Sequence, residues 1–373
     1  LIFSFILASK NNYIYGCHIN KNIIKDIKEN KKSNEPKLNE LIKKFIKNFQ
    51  FEENFEKSVK KTNCSFIIVP TPSKKNFEFD NKYIIQSLKQ IGPHLKNKKK
   101  YVINITSTVN PGSCHKFIKF LEKKYRIKHG REFLITYNPH LIALGSIYND
   151  VINGDLVLVG SDDKYGHKFL QKLYKNVYKK NNDKLKLLNL EEAEIAKISI
   201  NAFVTMKISF TNTISQITDK SQNLSAAKIL NSIGYDTRIG HKYLSLGANY
   251  AGPCFPRDNL NFSKYLMKKN LNFDLPRSSD SVNNFQLSRY INVFNKFNKL
   301  KKPKIGICGL SYKKNTNLTT KSPGMLLYNY FKKKFKTTAY DEYYPMQEVK
   351  NFESNLENFA KNLDVIFLCY PNN

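Results

Sequence analysis

The 373-residue chain is long for one hydrophobic core and predicts two or three domains of about 100–200 residues each. Its 41% apolar and 25% charged residues are ordinary for a globular protein, and no apolar run approaches the about 20 residues of a membrane span. The net charge of +32 comes from lysines spread along the whole chain among Asn, Ile, Phe and Tyr, the mix an AT-rich coding sequence produces. With no zinc-finger spacing and no RNP-like aromatic run, that charge predicts a solvated basic surface rather than a nucleic-acid footprint.

The chain opens on Leu-Ile-Phe-Ser-Phe-Ile-Leu-Ala, an apolar run with no basic stretch before it. It reads as helix rather than signal peptide. Short apolar strands then alternate with amphipathic helices. Strands are expected at Tyr13–Ile19, Ser65–Val69, Tyr101–Thr106, Phe133–Tyr137 and Leu156–Gly160, and helices at Lys82–Ile91 and Ser113–Tyr125. This alternation predicts a parallel sheet with crossover helices over residues 1–185. Such folds begin with a strand, a glycine-rich turn and a helix that together hold a pyrophosphate. No Gly-x-Gly-x-x-Gly precedes the first strand here, so the expectation is a fragment whose first strand and glycine loop lie before Leu1.

Leu190–Gln222 has a helical apolar period and few breakers, predicting one long helix. Helices at Ser225–Ile233, Asn259–Lys269 and Val282–Leu300 follow. Residues 186–300 therefore read as a helical central domain that connects and dimerises. A basic, proline-containing linker at Lys301–Pro303 leads to a second α/β domain over 301–373. Its strands are expected at Lys304–Gly309, Lys336–Tyr340 and Asp364–Cys369, with a helix at Pro323–Lys332. The fold class is α/β: two Rossmann-like doubly wound domains joined by a helical middle.

Six cysteines without a Cys-x-x-Cys pair argue against structural zinc or a disulfide framework and for a reducing cytoplasm. Cys254 stands apart, between turn formers in Gly252-Pro253-Cys254-Phe255-Pro256-Arg257-Asp258. A reactive thiol needs exposure and a positive surrounding. Arg257 supplies such a field and Asp258 a group to orient a base or water; a loop cysteine that merely packs is the alternative. Lys197 and Asn201 lie four apart on the predicted long helix, sharing a face on which they can hold a developing alkoxide. A solvated surface pair is the plainer alternative.

The ordered set resembles the UDP-glucose/GDP-mannose dehydrogenase family over essentially the whole chain, nearest its UDP-glucose branch. It comprises Val69-Pro70-Thr71-Pro72, Ser107-Thr108-Val109 before Pro111-Gly112, Asn138-Pro139, and Ala193-Glu194-Ile195-Ala196-Lys197 running on to Asn201. It continues with Arg238-Ile239-Gly240, the Cys254 loop, Gly309-Leu310-Ser311-Tyr312-Lys313 and Ser322-Pro323. The resemblance implies NAD-dependent oxidation of a nucleotide-sugar C6 alcohol to the acid by a homodimer or higher homo-oligomer. Cys254 would be the nucleophile, Lys197 and Asn201 the oxyanion holders, and Asp258 the partner that orders water or base. Thr108 would lie beside the nicotinamide and the catalytic water, with Pro70, Thr71 and Arg257 also near the cofactor. Tyr243 and the strip to Gly252 would follow the nucleotide sugar, Arg238 would reach a neighbouring subunit's substrate, and Lys313 would complete the sugar site.

Besides the missing glycine loop, three positions depart from that pattern. His18 stands where an acid would accept the ribose hydroxyls, which bears on NAD affinity and leaves NADP open. His140 stands where a glutamate would handle the hydrolytic water. Thr320 replaces an arginine of the sugar site, and a hydroxyl cannot reproduce a guanidinium fork. Two alternatives stay open: a catalytically impaired or dead paralogue of the same family, and a two-electron hydroxyacid-type dehydrogenase, which would survive Cys254→Ser.

Overall fold

The computed structural model describes residues 1–18, 20–29, 35–177, 184–221, 223–272, 274–344 and 349–369. They form two compact units, Leu1–Lys197 and Ile198–Asn373.

In the first unit the order is α1 (Ile2–Ala8), β1 (Ile14–Gly16), α2 (Lys21–Lys28), α3 (Leu38–Phe45), β2 (Phe49–Phe51), α4 (Phe55–Lys61) and β3 (Cys64–Ile67). There follow α5 (Lys82–Ile91), β4 (Tyr101–Ile105), α6 (Ser113–Tyr125), β5 (Phe133–Tyr137), α7 (Ile147–Asn153), β6 (Val157–Gly160), α8 (Lys164–Lys175), β7 (Leu185–Leu188) and the start of α9 (Leu190–Asp219). Five strands pair in the order β3-β4-β5-β6-β7, and β1 and β2 form a separate parallel pair.

Every residue of β4 and β5 is buried, as near-continuous apolar strands covered on both faces should be. Their polar members are satisfied in place: Thr136 Oγ1 donates to Asn104 Oδ1 at 2.8 Å, and Asn104 Nδ2 to Thr106 Oγ1 at 3.1 Å. Leu88, Phe117 and Leu121 pack β3–β5 on one side, each contributing roughly 1.5–3 kcal/mol on burial. A second core gathers α1, α3, β2, β6 and α8 around Phe5, Leu170 and Tyr174.

The second unit holds the rest of α9, then α10 (Ala226–Gly234), α11 (Phe255–Lys268), α12 (Leu275–Phe297), β8 (Ile305–Cys308), α13 (Pro323–Phe331), β9 (Thr337–Tyr340), α14 (Leu356–Ala360) and β10 (Val365–Leu368). Its three strands are parallel in the order β10-β8-β9. This is the crossover arrangement expected of a second Rossmann-like sheet.

Several expectations shift. The first sheet is not wholly parallel, because β6 runs antiparallel to β5. Helix α11 starts at Phe255 instead of Asn259, with Cys254 as its N-cap, so Cys254 sits at a helix end rather than inside a loop. Helix α12 starts at Leu275 instead of Val282, with the Asp274 side chain accepting the Arg277 N–H at 2.9 Å. Both helices carry Pro at the second position, where no donor is needed, so proline fits their first turn. The expected ends Ile19 of the first strand and Gln222 of the long helix lie outside the described residues.

Candidate active site

In the first unit, the loops after β3 and β4 lie at the carboxyl ends of neighbouring parallel strands, where open α/β sheets bind ligands. They are sewn together. Ser107 Oγ accepts the Val69 N–H at 2.8 Å and donates to the Val69 carbonyl at 2.7 Å, and Thr71 Oγ1 donates to the Thr108 carbonyl at 2.8 Å. Pro70 is exposed, Thr71 buried and Thr108 half-buried along this edge.

Glu194, one turn into α9 and fully buried, accepts the N–H groups of Gly112 at 2.5 Å and Cys114 at 2.8 Å. It thereby fills the amino end of α6 with an internal carboxylate. Burial pushes its pKa up, and these hydrogen bonds oppose that rise. Lys197 follows three residues later and is only 6% exposed, so it is no solvated surface lysine.

His140 follows β5. Its ring meets Phe3 edge-on with centroids 4.4 Å apart, and its Nε2 is buried without a hydrogen-bond partner. Burial pushes its pKa down to about 4. His18 is exposed, and its Nδ1 accepts the Asn20 N–H at 2.9 Å.

The second unit carries the thiol. Cys254 is exposed at the amino end of the 14-residue α11, where the helix dipole favours negative charge on sulfur. One turn on, Asp258 is wholly buried, and its backbone N–H donates to the Cys254 carbonyl at 2.8 Å. Asn201 Nδ2 donates to Asp258 Oδ2 at 2.6 Å, and Arg257 Nε to Oδ1 at 3.1 Å. The structure thus brings Asn201, far away in sequence, to the Asp258 carboxylate of the Cys254–Asp258 segment. Asn201 keeps a second amide hydrogen for another acceptor.

Gly252 has φ +84° and donates its N–H to the Thr320 carbonyl at 2.8 Å. A Cβ on Gly252 would stand 2.7 Å from the Tyr312 ring. Lys313 Nζ lies 5.7 Å from the centroid of that ring, and Tyr243 meets Phe255 edge-on at 6.3 Å. Arg238 is held elsewhere, paired with Asp236 at 2.6 Å with its side chain 87% exposed. The sequence reading assigned no part to Glu194, Tyr312 or Asp341. The readable signal for Asp341 is its place directly after the second strand of an α/β sheet.

This is the architecture of an α/β dehydrogenase, two Rossmann-like sheets with a helical segment that presents a cysteine. It aligns with a UDP-glucose dehydrogenase from Pyrobaculum islandicum at TM-score 0.89 and 21% identity, over 99% of this chain and 86% of that one. It also aligns with a UDP-D-ManNAc dehydrogenase from Pyrococcus horikoshii at TM-score 0.85 and 20% identity, over 99% and 86%. Residues 1–178 match the NAD binding domain of the UDP-glucose/GDP-mannose dehydrogenase family, and residues 191–285 its central domain. The chain belongs to that family. It is 30% identical over 308 residues to a UDP-glucose 6-dehydrogenase of Rickettsia prowazekii, and 28% over 269 residues to the UDP-glucose 6-dehydrogenase TuaD of Bacillus subtilis. These alignments cover 82% and 72% of this chain and 66% and 56% of those relatives.

NAD is the cofactor of the first domain. The tied edge of Val69, Thr71, Ser107 and Thr108 fits a dinucleotide at the strand ends. The amino end of α6 does not offer itself to a phosphate, because Glu194 already fills it. No helix among the described residues is long and apolar enough to cross a membrane. No cluster of His, Cys, Asp and Glu suited to a metal occurs among them.

Proposed function

We propose that this chain catalyses the NAD-dependent four-electron oxidation of a nucleotide sugar, UDP-glucose first among candidates, to the uronic acid for polysaccharide precursor synthesis. The observation that carries the reading is the exposed Cys254 at a helix amino end, one turn from a buried Asp258 that Asn201 and Arg257 hold. A two-electron alcohol dehydrogenase has no use for such a thiol.

Bound NAD supplies the hydride acceptor for each of two oxidations. In the first, C6 loses a hydride and its hydroxyl loses a proton to water ordered by Asp258. Lys197 and the free amide hydrogen of Asn201 stabilise negative charge on the C6 oxygen. The Cys254 sulfur then adds to the aldehyde carbon, giving a thiohemiacetal. Loss of a second hydride and the hydroxyl proton leaves a thioester. Water cleaves its C–S bond, releasing the acid and returning the thiol. Thr108, Pro70 and Thr71 border the cofactor, Arg257 is a further cofactor residue, and His18 offers the ribose a single ring nitrogen at most. Tyr243, Gly252 and Lys313 line the sugar nucleotide, and Arg238 serves the partner subunit's substrate.

A thiol nucleophile also fits a reducing compartment such as the cytoplasm. We infer a homodimer from α9, where Phe203, Phe210 and Ile217 recur every seven residues at 60%, 50% and 51% exposure. That spacing forms one apolar seam along a helix, suited to a second copy.

A second reading, an impaired paralogue, draws on His140. Burial favours its neutral form, and a base with pKa of about 4 is poorly matched to activating water at neutral pH. The discriminating measurement is NADH formed per UDP-glucose consumed. Two equivalents, abolished by Cys254→Ala, support the full reaction. One equivalent per site with sugar retained on Cys254 supports the impaired reading. No NADH from any nucleotide sugar, with NAD or NADP, would end the four-electron reading and favour a dead paralogue.

A further inference from the structure

Asp341 follows β9 and is 3% exposed. Its Oδ2 accepts the N–H groups of Leu310 and Ser311, each at 2.7 Å. Its Oδ1 accepts those of Tyr343 at 2.7 Å and Tyr344 at 3.1 Å. A carboxylate has about four lone-pair sites. All of them are therefore taken by backbone donors of this chain. In a dinucleotide fold the acid after the second strand accepts ribose hydroxyls. Asp341 stands at that place in the second sheet and has no acceptor capacity left for a ligand. The sheet keeps the plan of a dinucleotide domain, while its acid serves the loop that follows β8.

That loop leads to the thiol. Gly309 turns out of β8 at φ +96° and donates its N–H to the Tyr340 carbonyl at 2.8 Å, so the loop starts in register with β9. Ser322 Oγ donates to the Leu310 carbonyl at 2.5 Å, and the Tyr312 N–H to the Leu318 carbonyl at 2.8 Å. The loop is thus closed at its base and fixed there by Asp341. Its outer residues grip the segment that leads to Cys254 at three points. The Tyr312 ring packs against Gly252, the Thr320 carbonyl takes the Gly252 N–H, and the Lys321 carbonyl takes Asn249 Nδ2 at 2.8 Å.

We propose that Asp341 is a positioning residue: by filling its carboxylate with four N–H groups it sets the 310–322 loop, and through Tyr312 it sets the wall behind Cys254. Resting on the function proposed above, the same pin places Lys313 for the sugar nucleotide. Asn in its place keeps one oxygen but turns an NH2 toward two N–H donors, so half of the clamp becomes repulsive.

The test is a double-mutant cycle on the whole chain: wild type, Asp341→Asn, Tyr312→Ala and the pair. The readout is the rate at which iodoacetamide alkylates Cys254, followed by peptide mass spectrometry from pH 6 to 9. Asp341→Asn is expected to change that rate several-fold in the wild-type background and to have no further effect once Tyr312 is Ala. Effects that simply multiply would overturn the proposal. With UDP-glucose, Asp341→Asn should raise KM about tenfold, as loss of hydrogen bonds to a charged acceptor can, and leave KM for NAD unchanged. A lower yield of active protein with unchanged KM would reduce Asp341 to a fold-stabilising role and refute the assignment. Should wild type fail to oxidise UDP-glucose, the functional reading falls, while the alkylation cycle still decides the role of Asp341. If Asp341→Asn does not fold, hydrogen exchange on wild type decides instead. Leu310, Ser311, Tyr343 and Tyr344 amides must be protected together, and fast exchange at Leu310 and Ser311 ends the idea.

Discussion

Gly252→Ala should destabilise the second unit in two separable ways. At φ +84° an alanine occupies the left-handed region, which costs roughly 1–2 kcal/mol. Its Cβ would also stand 2.7 Å from Tyr312 Cε2, an overlap that forces a shift of ring or loop. Overpacking of that kind typically costs about 1–3 kcal/mol. Together the substitution should cost about 2–5 kcal/mol. Tyr312→Ala removes the ring and leaves only the backbone part. Gly252→Ala should therefore cost about 1–3 kcal/mol less in the Tyr312→Ala background than in wild type. Urea denaturation of the four proteins measures this coupling directly. Additivity within about 0.5 kcal/mol would mean that the ring does not seat on Gly252, and the wall behind Cys254 would lose its basis. Iodoacetamide labelling of Cys254 in the same set shows whether the strain reaches the thiol.

Three further predictions test other parts. His140 has its pKa depressed by burial to about 4, against about 6.5 when unfolded. Its contribution to stability is fully present above pH 6.5 and is lost as pH falls toward 4, because the unfolded chain takes up the proton first. His140→Leu should remove that slope and gain up to about 2 kcal/mol on wild type between pH 7 and pH 5, read by denaturant titration at both. An unchanged pH dependence would place His140 in water. Glu194→Ala should strand the Gly112 and Cys114 donors and cost about 1–3 kcal/mol, while Glu194→Gln, which keeps one acceptor, should cost less; equal losses would contradict the paired geometry. Phe210→Lys should shift the chain from dimer to monomer in sedimentation velocity without unfolding it, and an unchanged assembly would exclude the Phe203–Ile217 seam.

The departures at His18, His140 and Thr320 fare differently once placed. His18 lies exposed with its acceptor nitrogen already engaged by Asn20, so it differs from a free carboxylate in capacity as well as charge. The His140 ring packs on Phe3 with its Nε2 buried, an aromatic environment that would penalise a charged glutamate. Thr320 contributes its backbone carbonyl to Gly252, a role that any residue with the same backbone path could fill.

Local periodicity was enough for β5, α5 and α6, whose bounds agree with the expectation, because their apolar spacing and flanking breakers act over neighbouring residues only. The Lys197–Asn201 spacing and the place of Cys254 among turn formers could be read in the chain, while the exposure of that cysteine at a helix end could not. The starts of α11 and α12 were not, since Pro256 and Pro276 break a helix in its interior but begin one at its first turn, and only the cap geometry tells the two apart. The turnaround of β6 against β5 was equally hidden, because strand direction leaves no mark on a fully buried apolar run. Sequence alone placed Asp258 four residues from Cys254. Tertiary structure decided that Asn201, 57 positions away, would hold its carboxylate, and that the acid after β9 would spend itself on the backbone of another strand's loop. Buried polar groups must find partners wherever the fold brings donors within reach, and that search runs through space rather than along the chain.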